Sequence, residues 1–198
     1  AIDTETNSLD IEKAKLVGIS ICYSENISYY IPINHTTVDG SKKIDNQLEE
    51  NYVINHINKI CKNESILKIG QNIKYDIRIL NKYGVTFNSI ADTMLISYSI
   101  DNGIYKHNLD DLSFNHLNHT TIKYKEVVGT GKNEITFDKV TIDNAINYAA
   151  EDSLLTFRLF QNLYPRLIKE KANFVYQNID LPLVAVSYTH LTLPTTGI

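Results

Sequence analysis

Three apolar runs, "AIDTET", "KLVGISICYS" and "NISYYIPINH", follow one another at the start of the chain, and they limit the available folds more than any other feature. They are rich in β-branched and aromatic residues, and the last two are separated by the polar turn "YSEN". Runs of that composition at that spacing form an antiparallel meander. The period then changes. "IDNQLEENYVINHINKICK" sets Val53, Ile54, Ile57 and Ile60 at helical spacing, "SILKIG" reads as a short buried strand, and "KYDIRILNKYG" reads as a helix stopped by Gly84. The predicted order is βββαβα. "ADTMLISYSID" and "NLDDLSFNHL" predict two short helices, the second with Asn108 as N-cap and Asp111 in its first turn. Residues 119–140 read as a polar loop, and a helical pattern runs from Thr141 to Lys171 with an interruption at Pro165.

With 198 residues, 43% of them hydrophobic, the chain can bury one domain-sized core. It has no apolar run long enough to span a bilayer, so no membrane role is expected. Cys22 and Cys61 lie far apart without a C-x-x-C, which indicates neither a disulfide framework nor a zinc site and suits a reducing cytoplasm. The sequons at Asn26, Asn34, Asn63 and Asn118 carry little weight in that setting. A net charge of -4 lacks the basic footprint of a protein that grips nucleic acid by charge alone. Such a partner would have to be held by metal or by a neighbouring domain. Residues 1–184 are expected to be one domain whose N-terminal end is clipped. The uncharged run "VSYTHLTLPT" resembles a translated sequencing-library adapter, so residues 185–198, with Tyr188 and His190, are set aside as a non-native tail.

Acidic residues supply the chemistry. On a strand, Asp3 and Glu5 point to one face about 7 Å apart, where like charges resist joint ionisation unless a cation sits between them. A solvated Asp-x-Glu at a strand end is the plainer reading of those two residues alone. Tyr148 and Asp152 are four apart, which on a helix brings their Cβ atoms to about 5–6 Å on one face, while Leu155, Phe157 and Leu159 can face the core. Asp76 follows a strand and a tight Gly-Gln-Asn connection. Each of these features is ordinary singly, but four acids placed on strand, strand, strand–helix junction and helix after a βββαβα start form the arrangement of ribonuclease-H-like two-metal nucleases.

In order along the chain, "DTETNSL", "LVGIS", "GQNIKYD", "DTMLISY", "HNLDDL", "GTGK" followed by "TF", and "YAAEDSLLTFRL" resemble the 3'-5' proofreading exonuclease domain of family A bacterial DNA polymerases, the DNA polymerase I type. The resemblance spans residues 1–184. It implies an α/β, ribonuclease-H-like fold with a central mixed β-sheet, antiparallel in its first three strands and parallel after them, flanked by helices. It also implies metal-dependent hydrolysis of the terminal phosphodiester at DNA 3' ends, releasing 5'-mononucleotides.

By the same resemblance Asp3, Glu5, Asp76 and Asp152 are the catalytic acids and hold two divalent cations, Mg2+ or Mn2+. Asp3 would bridge them, Glu5 and Asp152 would help hold the ion on the nucleophile side, and Asp76 would act at the second, partly through water. Tyr148 would orient the attacking water. Leu9 matches the residue that wedges beside the terminal base, Tyr124 an aromatic position near the 3' end, and Asn72 a substrate-side amide. The implied partners are a single-stranded or frayed DNA 3' end and the polymerase domain of the same full-length chain, in a cytoplasmic monomer.

Other signals are weaker. "GTGK" at Gly129–Lys132 is not a phosphate loop, because Glu126 stands where the first glycine belongs and Asn133 replaces the Ser or Thr; Lys132 is expected to touch DNA phosphate from a flexible loop. Asp92 and the Asp110–Asp111 pair read as caps and hydrogen-bond acceptors. His107, His116 and His119 argue no metal site. An exoribonuclease of the RNase D type shares the acids and the tyrosine, although "GTGKNEITF" and the "LPLV" continuation favour the polymerase resemblance. A catalytically silent DNA-positioning domain is the other alternative, against which the five intact residues argue.

Overall fold

In the computed structural model, residues 1–104 and 106–189 are described, with side chains as far as Ala185. Of the set-aside tail, residues 185–189 fall in the last helix and residues 190–198, with His190, lie outside the described residues. Strand β1 (Ile2–Thr6) pairs antiparallel with β2 (Leu16–Ser24), which pairs antiparallel with β3 (Ile27–Pro32). Helix α1 (Glu50–Lys62), strand β4 (Lys68–Gly70), helix α2 (Ile73–Asn81), strand β5 (Ile90–Asp92) and helices α3 (Thr93–Asp101) and α4 (Leu109–Leu117) follow. Then come α5 (Tyr124–Val128), the long α6 (Ile142–Lys169), the short α7 (Asn173–Val175) and α8 (Leu181–Thr189). No helix among the described residues is long and apolar enough to cross a membrane.

The period-2 alternation of β1 sorts its side chains between two layers. Ile2 joins Ile19, Ile33, Val53, Ile57 and Leu80 in a core against α1 and α2. Asp3 and Glu5, opposite Ser20 and Gly18 of β2, take the other face, toward α6. A bulge leaves Val17 without a partner on β1, so Val17 packs with Phe137, Val140 and Ala145 instead. A further core of Ile96, Leu112, Leu159, Leu163 and Leu167 fixes α6 to α3 and α4.

The expected single mixed sheet is present as two pieces. β1, β2 and β3 form one sheet, and β4 and β5 form a separate parallel pair. The register shows why: β1 pairs with β2 through Ala1 and Cys22, so alternate amides, including that of Thr4, point away from β2. The Thr4 amide donates to Asp76 Oδ1 at 2.9 Å, a side-chain acceptor standing where a neighbouring strand's carbonyl would be.

Other expectations also change. Pro165 does not interrupt α6, which runs continuously to Lys169. Both Pro165 and Gln161, whose carbonyl loses its usual donor, are exposed to water, while Leu163 and Leu167 are fully buried and hold the turn in place. The polar loop of 119–140 contains α5, two 3-10 turns and the fully buried Phe137. In α1 the buried residue after Ile57 is Cys61, and Ile60 is 41% exposed.

Candidate active site

Strand β1 and the middle of α6 face each other across a cleft of about 380 Å³ lined by Asp3, Glu5, Thr6, Leu9, Tyr75, Tyr124, Tyr148 and Asp152, among others. One oxygen each from Asp3, Glu5 and Asp152 lies within 4.8 Å of the others. The i, i+2 spacing on the strand and the i, i+4 spacing of Tyr148 and Asp152 on the helix produce this convergence directly. None of the described residues lining the cleft is a lysine or arginine.

Burial first, and then the mutual repulsion of the acids, shapes the electrostatics. Burial pushes Asp3 up to about 6. Glu5 lies well above the usual carboxylate range through burial and the charges of Asp3, Asp152 and Asp76. Asp152 is raised by burial and by Asp3. The buried Glu5 Oε1 has no hydrogen-bond partner among the described residues. An unpartnered buried carboxylate oxygen is costly, and hard oxygen donors grouped this closely fit a divalent cation such as Mg2+ or Mn2+.

Asp76 is not one of the converging three. It is 2% exposed, lies behind β1, and accepts both the Thr4 amide and the Thr4 hydroxyl, the latter at 2.6 Å. Burial and the charge of Asp3 push its carboxyl upward despite those donors. Tyr148 is held in the neutral phenol form by burial and by the charges of Asp152, Glu5 and Asp3. Tyr124, the first residue of α5, stacks on Phe137 with centroids 6.3 Å apart and meets Tyr148 edge-on at 6.0 Å. Leu9 stands at the cleft's rim, 88% exposed.

The structure leaves two of the sequence-selected residues elsewhere. Asn72 lines a separate cavity beside α3 and α8, in left-handed conformation, and its amide donates to Asp92. Lys132 sits in the exposed 3-10 turn Gly131–Asn133 and does not line the cleft. That turn follows Gly129 at φ +80, where a Cβ would come within 2.9 Å of the Asn133 carbonyl oxygen, so the glycine serves chain geometry.

Asp92 caps α3 and also accepts the Asn72 and Ile73 amides, in keeping with its reading as a cap. Asn108 caps α4 by accepting the Asp111 amide. Thr6 and Tyr75 were not foreseen. Their hydroxyls lie 2.6 Å apart, and Tyr75 also donates to the Ser8 carbonyl, which fixes the segment leading to Leu9. Tyr75 immediately precedes Asp76, but an apolar–aromatic helix position gives no sign of the cleft it faces.

The 3'-5' exonuclease family model matches residues 1–168. The chain is 41% identical to DNA polymerase I of Rhizobium leguminosarum over 94% of its length and 36% identical to DNA polymerase I of Pseudomonas aeruginosa over 94%, in each case covering 20% of the relative. It thus spans about a fifth of the length of those relatives. Among solved structures, Brucella melitensis NrnC with bound Mg2+ superposes with a TM-score of 0.63 at 23% identity, covering 92% of this chain and 83% of that one, a likeness of fold. The chain belongs to the 3'-5' exonuclease family and is homologous to DNA polymerase I.

Proposed function

We propose that this chain is a metal-dependent 3'-5' exonuclease that removes 5'-mononucleotides from DNA 3' ends, as the proofreading domain of a DNA polymerase I. The observation that carries this reading is the convergence of carboxylate oxygens of Asp3, Glu5 and Asp152, with a buried Glu5 oxygen left unpartnered among the described residues, beside a neutral tyrosine in an open cleft. Membership of the family and homology to much longer polymerases support the substrate and the polymerase-domain partner. Asp3, Glu5 and Asp152 would hold divalent cations, Mg2+ or Mn2+, with Asp76 in support from behind β1. When bound, the ions acidify water and neutralise charge on the attacking and leaving oxygens.

The protein's own groups do the rest. Tyr148 keeps its proton and donates a hydrogen bond that aims the water oxygen at phosphorus, so it orients the nucleophile and does not act as the base. As the new P–O bond forms, the bond to the 3' oxygen of the preceding nucleotide breaks, and a proton passes from water to that leaving oxygen. Leu9 and the Tyr124 ring flank the terminal base, the aromatic face supplying sequence-tolerant stacking. With a net charge of -4 the isolated domain grips single strands weakly and acts as a cytoplasmic monomeric unit of the longer polymerase.

Digestion of a 5'-labelled single-stranded DNA, beside RNA of the same sequence, tests the proposal. A ladder shortening from the DNA 3' end in Mg2+, abolished by chelator, is expected. Preferential trimming of RNA would instead support an RNase D type of activity, and no cleavage of either would support a DNA-positioning role.

A further inference from the structure

Glu151 lies one residue before Asp152 on α6, yet its carboxylate turns away from the acid cluster. It binds the segment that leads into α5: Oε1 is 2.7 Å from His119 Nε2, and Oε2 accepts the Ile122 amide at 2.7 Å. The next residue, Lys123, pairs with Asp110 of α4 at 2.8 Å and donates to Thr121. Thr121 in turn donates to Asp110. Residues 119–123 are thereby tied in alternation to α6, through His119 and Ile122, and to α4, through Thr121 and Lys123, immediately before Tyr124 enters the cleft.

We infer that Glu151 is a positioning residue, which locks the α4–α5 connection to the helix carrying Tyr148 and Asp152 and so sets where the Tyr124 ring stands relative to the acids. The inference rests on the proposed exonuclease reading for its substrate consequence, but the clamp itself is a statement about geometry. A side-chain carboxylate holding a backbone amide across 29 residues is a specific tie, because the amide would otherwise need another acceptor. Tyr124 has its own support from Phe137 and Tyr148, so the clamp sets the ring's position along the cleft and leaves the aromatic cluster to fix its tilt. A base stacked on Tyr124 then sits at a fixed distance from the metal-binding oxygens.

Two measurements on the whole chain test this. Hydrogen exchange should show protection of the Ile122 amide and the 119–128 segment lost in Glu151→Ala and largely kept in Glu151→Gln, whose amide oxygen still accepts from Ile122. In exonuclease assays, Glu151→Ala should raise KM for a single-stranded DNA oligonucleotide about tenfold with a smaller change in kcat, and Glu151→Gln should recover most of that loss. In a Tyr124→Ala background, Glu151→Ala should add little, because both changes remove the same stacking platform. Unchanged exchange in Glu151→Ala overturns the clamp. Full additivity with Tyr124→Ala, or a Glu151→Gln variant as impaired as Glu151→Ala, overturns the positioning role. A wild-type chain without nuclease activity overturns the proposed function and the substrate consequence together, whatever the exchange data show.

Discussion

Buried carboxylates occur in two settings here. Asp92 accepts amides from Asn72, Ile73, Met94 and Leu95, at 2.9 to 3.4 Å, and Asp101 receives both terminal nitrogens of Arg166 at 2.8 Å. Each is surrounded by donors from the protein, although burial still pushes Asp92 up to about 6. Glu5 on β1 keeps a buried oxygen without a donor among the described residues and converges with Asp3 and Asp152. The first kind of carboxylate holds the fold together; the second opposes it, and under the proposed function a divalent cation would relieve that opposition. Removing one acid from each setting should therefore move stability in opposite directions.

Asp152→Asn should lower the cleavage rate in Mg2+ by about 10³-fold while raising the melting temperature of the metal-free protein. A variant that lost activity together with stability would place Asp152 among the structural acids. Asp92→Ala should do the reverse of the stability effect, costing about 3 kcal/mol in chemical denaturation by orphaning four amides, with metal affinity retained in the fraction that folds.

The pH dependence follows from the direction of the shifts. Asp3 is raised from 3.8 to about 6, so the folded state binds its proton more tightly than the unfolded state does. In chelator, the corresponding stability is complete below pH 4 and is lost as pH rises through about 6, and the raised Glu5, Asp76 and Asp152 extend the loss in the same direction. Melting curves across that window should fall in chelator and flatten in saturating Mg2+. A rise in chelator would mean that the cleft acids are paired after all.

The smallest effect is expected at Gly18, which pairs with Glu5. A Cβ there would stand 2.1 Å from the Tyr30 hydroxyl, so Gly18→Ala should cost about 1–2 kcal/mol by displacing Tyr30 on the sheet face that carries Asp3 and Glu5. Unchanged stability would show that Tyr30 yields freely.

Much of this was legible in the residues. Strand alternation put Asp3 and Glu5 on one face, helical spacing put Tyr148 with Asp152, and the order of motifs carried the family. What escaped notice depends on tertiary neighbours. Nothing in "YDIR" says that Asp76 will accept the Thr4 amide, because that contact spans 72 residues. Phe137 anchors the 119–140 segment, yet it stands among polar residues without a period, so the segment read as a loop. Pro165 read as a break because local propensity is blind to its exposed position and to the buried Leu163 and Leu167 on either side. Glu151 is next to Asp152 in the sequence, and only the fold shows that its carboxylate binds His119 and the Ile122 amide.

The most direct test of the account is a Mn2+ titration of the purified chain, followed by electron paramagnetic resonance, for wild type, Glu5→Gln and Asp92→Asn. Saturable binding in wild type and Asp92→Asn, with a large loss in Glu5→Gln, is the predicted result. Equal binding by Glu5→Gln and wild type would contradict the claim that the buried, unpartnered Glu5 carboxylate is reserved for a cation.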